Sequence, residues 1–238
     1  MSNEQDRRDT RVALVTGAAR GIGRAITRRL LADGFHVGAL DQDADALASL
    51  ERATNAAPSH AGELEILTAD VADEASVADA VARVADRWGQ IDLLVNNAGI
   101  ADPFNGPIES LSLDDWNRVI GVNLTGTFIC SRRAAHMMAR QGSGSIINMS
   151  SVNGVMTIPN ILPYNVSKGG LDQLTRVMAV ALADPALYEF TGGEPPTVDQ
   201  LIARYRTLES RVSPDGSEAW FNWAVRAADD MAIAGDVQ

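Results

Sequence analysis

The sequence predicts an α/β fold over residues 11–184, a doubly wound parallel sheet covered by helices on both faces. Two observations lead to it. Short β-branched runs alternate with longer stretches that carry apolar residues at three- and four-residue spacing. The first of those runs opens directly into a glycine-rich turn, Thr16-Gly-Ala-Ala-Arg-Gly-Ile-Gly23. The chain has 238 residues, 46% hydrophobic and 21% charged, which suits one globular domain with a large core.

In chain order, Val12-Ala-Leu-Val-Thr16 reads as a buried parallel strand because it is apolar without alternation. A helix follows over about 21–33. Further strands are expected at 36–41, 63–68, 91–95 and 145–150, with helical patterns at about 43–55, 74–88 and 112–139. A last helix begins near Tyr164 and stacks Leu171, Leu174, Met178 and Leu182 along one side. Residues 1–10 are polar and expected to be disordered. After Asp184 the texture changes: 185–238 is a tail holding half of the chain's aromatic residues and is too short for a core of its own. It contains an amphipathic stretch over 197–211 and a segment at 219–227 that suits a strand or a helix.

Several groups in this frame can carry chemistry. Glycines at 17, 21 and 23 let a backbone turn tightly beside the positive N-terminus of a helix, where a pyrophosphate binds; the plainer reading is a tight strand-to-helix turn. Asp41 ends the second strand, where a carboxylate would accept hydrogen bonds from ribose hydroxyls and repel a 2′-phosphate. That favours NAD over NADP; the alternative is a solvated loop aspartate. Asp70-Val71, Asn96-Asn97-Ala98-Gly99 and Ser150-Ser151 follow the later strands and would border the same crevice, with Asp70 placed for the adenine amino group. Tyr164 and Lys168 share a helix face at a spacing of four. An ammonium beside a phenol favours the phenolate and makes a proton donor or acceptor usable near neutral pH, although such pairs are commonly surface decoration. Lys168 is the only lysine among 20 basic residues, which points to a need for a compact ammonium at that position.

Together these residues resemble the short-chain dehydrogenase/reductase family over about 11–184, on Thr-Gly-x-x-x-Gly-x-Gly, Asn-Asn-Ala-Gly, Tyr-x-x-x-Lys and a serine 13 residues before the tyrosine. The resemblance implies a Rossmann-type fold and hydride transfer between NAD(H) and a secondary alcohol or ketone, with a polyol or sugar as a guess at the substrate. It implies Tyr164 as general acid/base, Ser151 as the hydrogen-bond donor to the substrate oxygen, and Lys168 as the group that holds the nicotinamide ribose and tunes Tyr164. Asn123, in Val122-Asn-Leu-Thr-Gly126, falls on the family's fourth catalytic position, which supports a water-mediated proton relay. The cofactor would lie along Gly17, Arg20, Gly21, Ile22, Gly23, Asp41, Asp70, Val71, Asn97, Ala98 and Gly99, and reach Tyr164 and Lys168.

The family continues after the lysine helix into a sixth strand and a Pro-Gly loop over the nicotinamide. No such pattern follows Asp184. Residues 183–196 and 213–226 instead resemble the opening of a GCN5-related N-acetyltransferase, without that family's pyrophosphate-binding turn. The chain therefore reads as a join near 181–185. A non-catalytic nucleotide-binding module and a defective chimeric product stand as alternatives to the dehydrogenase. Strand 145–150 would be a sheet edge needing cover, from the aromatic segment 219–226 or from another subunit in a homo-oligomer.

The net charge of −11, with no basic block, argues against nucleic acid or an anionic membrane as partner. No apolar run approaches the length of a membrane span, and the first residues lack a signal-peptide core, so a soluble cytoplasmic protein is expected. The lone Cys130 reads as a small core residue. Asp41, Asp43 and Asp45 mimic a calcium loop but have Ala46 and Arg52 where glycine and glutamate are required. His36, His60 and His136 lack ligand spacing, so no metal site is expected.

Overall fold

A computed structural model describes residues 10–56, 62–101 and 106–183. The chain divides into two compact units, Met1–Leu171 and Asp172–Gln238. Of the second, only 172–183 is described, as continuing helix. The expectations for 185–238, including the acetyltransferase-like segment and its docking, lie outside the described residues, as do those for 1–9 and His60.

Five parallel strands form one sheet in the order β3-β2-β1-β4-β5, with β1 Val12–Thr16, β2 His36–Asp41, β3 Leu64–Thr68, β4 Leu93–Asn96 and β5 Ser145–Asn148. The connecting helices are α1 Gly21–Ala32, α2 Ala44–Asn55 and α3 Glu74–Trp88. After them come α4 Leu113–Ile120, α5 Thr127–Gln141 and α6 Leu162–Ala183. Central β1 is fully buried, with Val12 to Val15 at 0% exposure, as its unbroken apolar sequence requires. Successive side chains alternate between two cores. Val12, Leu14 and Leu94 face a cluster with Val77, Val84 and Ile129, whereas Ala13, Val15 and Val37 face one with Leu31, Leu47 and Leu50. Among the described residues, no helix is long and apolar enough to cross a membrane.

The capping chemistry explains where several helices start and stop. Asp43 caps α2 by accepting from Ala46 N at 2.9 Å, and Asp73 caps α3 by accepting from Ala75 N at 2.9 Å. Gly89 and Gly142, in the left-handed region, end α3 and α5.

The expected helix 112–139 is not one α-helix. A π-helical turn, Gly121–Gly126, separates α4 from α5. Such a turn inserts a residue without changing the local apolar content, so periodicity leaves no mark of it. It sets the buried Asn123 against Ile100, accepting from its N–H at 2.8 Å and donating to its carbonyl at 3.1 Å. The expected fifth strand, 145–150, ends earlier, at Asn148. One more ladder bond, Met149 N to Asn96 O at 2.9 Å, follows before the chain turns away, leaving Ser150 and Ser151 beyond the strand. Among the described residues β5 pairs only with β4.

Strand order reverses where the chain leaves β3 for β4, so the connections after β1 and β4 diverge to opposite faces and a crevice opens between their carboxyl ends. Thr16 closes the base of that crevice. Its Oγ1 accepts from Asn97 N at 3.1 Å and from Ala98 N at 3.0 Å, two donors that have left the ladder. Asn97 reciprocates, its Nδ2 donating to the carbonyls of Thr16 at 3.0 Å and Gly17 at 3.1 Å.

Two predictions follow from this packing. Asn97 N also donates to Val95 O at 3.1 Å, so Thr16→Val strands only the Ala98 amide, and urea unfolding should show a loss of about 1–3 kcal/mol, with Thr16→Ser retaining most of the stability. Cys130 is fully buried, and burial pushes its thiol up to about 12. Labelling by a thiol reagent at pH 8 should run at least about a hundredfold slower in the folded chain than in denaturant. Between pH 9 and 12 only the unfolded chain releases this proton, so its contribution to stability should fall as pH rises through that window.

Candidate active site

The glycine turn after β1 is shaped by contact as well as conformation. Gly17 has φ +64°, and a Cβ there would sit 2.8 Å from Ala98 Cα. A Cβ on Gly23 would overlap the Gly17 carbonyl, so only glycine lets the first turn of α1 close against the loop. Arg20, the residue before α1, is extended and makes no side-chain cap, and no acidic residue occupies the first turn. The helix therefore presents uncapped N–H groups beside a backbone that can be approached closely, which is the chemistry of a pyrophosphate cradle. Gly21 and Ile22 are exposed on its rim.

The other expected cofactor residues follow the carboxyl ends of β2, β3 and β4. Asp41 accepts from Ala19 N at 3.0 Å through Oδ2 and from Asp43 N at 3.1 Å through Oδ1, tying the β2 end to the glycine turn. Arg20 forms an ion pair with Asp43. Asp70 is exposed, its Oδ1 accepting from Ala72 N at 2.9 Å. Val71 is buried against Gly126, where a Cβ would come within 2.8 Å of its Cγ2. Gly99 faces Asn123, its missing Cβ lying 3.4 Å from Asn123 Oδ1.

The second half of the site is built around α6. Tyr164 lies in its first turn and Lys168 one turn later. Lys168 is 94% buried; its ammonium donates to Met149 O at 2.7 Å and lies 5.6 Å from the centre of the Tyr164 ring. A buried ammonium requires such a partner, and the helix is thereby fastened to the backbone just after β5. Asn123 donates to Ser167 Oγ at 3.2 Å, and Ser167 donates to Tyr164 O at 2.7 Å, joining the π turn to the tyrosine's own backbone. Ser151 Oγ accepts from Asn153 N at 3.2 Å and caps a 3₁₀ turn, Val152–Gly154. Ser150, one position earlier, has a buried Oγ with no partner among the described residues.

Sequence reasoning missed Thr16 as the clamp and Ser167 as the link from Asn123 to Tyr164. A serine at i+3 from the tyrosine, able to bond back to its carbonyl, was the available signal. His36 stacks on Trp88 with ring centres 5.3 Å apart and accepts from Glu63 N, and His136 is exposed. Among the described residues no group of three or more His, Cys, Asp or Glu side chains could hold a metal ion.

Comparison with known proteins agrees with this construction. A family model described as short chain dehydrogenase matches residues 11–187. The cis-4-hydroxycyclohexanecarboxylate dehydrogenase of Sinomonas cyclohexanicum is 42% identical over 173 residues, covering 73% of this chain and 68% of that protein. Among solved structures, NAD+-bound xylitol dehydrogenase aligns with a TM-score of 0.69 at 35% identity, covering 73% of this chain and 65% of the other. An actinorhodin polyketide ketoreductase with NADPH aligns with a TM-score of 0.68 at 32% identity, covering 74% of this chain and 66% of the other. The match thus spans about two thirds of each relative's length. Family model, relatives and sheet order coincide on the same stretch, and the chain belongs to the short-chain dehydrogenase family.

Proposed function

We propose that the chain is an NAD-dependent oxidoreductase acting on a neutral secondary alcohol or ketone. The observation that carries this reading is the buried Lys168 side chain, anchored on Met149 O beside Tyr164, at the same carboxyl end of the sheet as the glycine cradle. The cradle fits a dinucleotide, since side chains are missing where a pyrophosphate would approach α1. The nicotinamide, when bound, would take up or supply the hydride.

The chain's own residues would then handle the proton. Tyr164 Oη gives a proton to the carbonyl oxygen in reduction and takes it back in oxidation. Ser151 Oγ hydrogen-bonds the same oxygen. Lys168 holds the nicotinamide ribose and keeps a positive charge beside the ring of Tyr164. Asn123 and Ser167 fix the backbone of Tyr164, and Asn123 supports a proton relay through water.

Two further features support the choice of ligands. Asp41 stands where an adenosine ribose diol would meet it, which favours NAD; the relatives bind either dinucleotide. From Gln141 to Ser167 the chain has no Asp, Glu, Lys or Arg, and Val152, Val155, Met156 and Ile158 in this stretch are exposed. Such a segment after Ser151 suits a substrate without charge, a class that includes polyols such as xylitol.

NAD should bind more tightly than NADP in a calorimetric titration, and Asp41→Ala should narrow the difference about tenfold. Tighter binding of NADP by the unmodified chain would overturn the cofactor assignment. With a panel of polyols and cyclic ketones, Tyr164→Phe should lower turnover by about 10²–10⁴-fold while NAD still binds, and Lys168→Ala should impair both. Retained turnover in Tyr164→Phe would place the acid/base elsewhere.

A further inference from the structure

Dinucleotide sites commonly discriminate at the 2′ position of the adenosine ribose, a carboxylate selecting the free hydroxyl and an arginine accommodating the phosphate. This chain has both. Asp41 ends β2, and Arg20 is the one basic residue within 17–23 and 41–46, the two loops that meet there. Asp41 alone therefore does not decide the matter, because an unpaired guanidinium beside it could offset its repulsion of a phosphate.

Arg20 is not unpaired. Its Nη2 meets Asp43 Oδ2, while the other oxygen of Asp43 accepts from Ala46 N at 2.9 Å and caps α2. Asp43 is held in place by that cap, so its carboxylate is a fixed acceptor for the arginine. Asp43 N in turn donates to Asp41 Oδ1 at 3.1 Å, placing both carboxylates in one short turn. The side chain of Arg20 is 74% exposed and that of Asp43 32% exposed, so the pair is an easily opened surface contact.

We propose that Asp43 is a specificity-determining residue that rejects 2′-phosphorylated dinucleotides by occupying Arg20, the cation that would otherwise receive the phosphate. The inference rests on the reading of this crevice as a dinucleotide site. It assigns to Asp43 a role distinct from that of Asp41: Asp41 meets the diol directly, whereas Asp43 acts through the arginine. With Asp43 neutralised, Arg20 is released toward the ribose, and a doubly charged phosphate gains a bidentate partner that a hydroxyl cannot use.

The test is calorimetric titration of the full chain with 5′-AMP, adenosine 2′,5′-bisphosphate, NAD and NADP. Asp43→Asn keeps an acceptor for Ala46 N and so keeps the cap on α2. In this variant the bisphosphate should gain about threefold to fivefold over 5′-AMP, and NADP over NAD, relative to the unmodified chain. The gain should shrink as salt is raised, because it is a charge interaction at an exposed site. Asp45→Asn removes the same charge nearby without releasing Arg20 and should give no comparable gain. Arg20→Gln combined with Asp43→Asn should abolish it. Equal gains in Asp43→Asn and Asp45→Asn, or a gain that survives Arg20→Gln, would overturn the proposal and assign the effect to net charge. If no nucleotide binds the unmodified chain, the dinucleotide reading falls and the proposal falls with it.

Discussion

Two parallel strands that part company leave backbone groups without ladder partners, and here those groups lie at the base of the functional crevice. Thr16 Oγ1 takes the amides of Asn97 and Ala98, and Asn97 Nδ2 takes the carbonyls of Thr16 and Gly17. Four bonds between two side chains and the facing loops thus replace the ladder at the point where it stops. The position of Gly17, and hence the contact of the glycine turn with Gly23, is inherited from this exchange. Asp41 then ties β2 to the same turn through Ala19 N. The cradle is a consequence of how the strand ends are satisfied.

A second constraint is the cost of a buried ammonium. An uncompensated charge in this position would cost several kcal/mol, so Lys168 must have an oxygen partner, and Met149 O supplies it at 2.7 Å. The bond joins the exit of β5 to the second turn of α6. The Asn123–Ser167–Tyr164 chain meets the same helix from the π turn. Tyr164 is therefore fixed through its own backbone carbonyl and through the lysine one turn away. A guanidinium, planar and larger, is a poor replacement for a compact ammonium between a carbonyl and a ring, and Lys168 is the one lysine in a chain otherwise basic through arginine.

Much of this was legible in the residues. The bounds of β1 and β2 follow from apolar runs ended by a turn or an aspartate, and those of α3 from its three- and four-residue apolar spacing. The Tyr164–Lys168 face follows from a spacing of four. The π turn was not legible, because one inserted residue rotates the helix without altering its composition, and because Asn123 finds its partners on Ile100, remote in sequence. The early end of β5 was hidden too: Met149 continues the apolar run and still donates to Asn96 O, so nothing in the composition marks where the ladder stops. Nor could spacing show that Arg20 is held by Asp43, since the pair joins two loops separated by a whole βα unit.

Ion pairs lie at both ends of the sheet, Arg20–Asp43 and Glu74 with Arg132 and Arg133 at the crevice end. At the end opposite the crevice, Glu63 and Glu65 before and within β3 meet Arg87 near the end of α3, and Glu65 also meets Arg83. The hydrogen bond from Arg87 is the main cause that holds the Glu63 carboxyl below its ordinary value, against the opposing effect of burial. A depressed carboxyl contributes stability above its unfolded pKa and loses it as pH falls through its folded value, so acid weakens the Glu63–Arg87 contact. Both partners are about half exposed, which keeps that contribution small. The crevice depends instead on hydroxyl, amide and backbone groups, with Lys168 as its one buried charge. Salt therefore screens the exposed ion pairs, Arg20–Asp43 among them, while the Thr16–Asn97 and Asn123–Ser167 bonds have no charge to screen. The backbone of Tyr164 is held by the uncharged Asn123–Ser167 link, and the Lys168 ammonium is the charged group beside its ring.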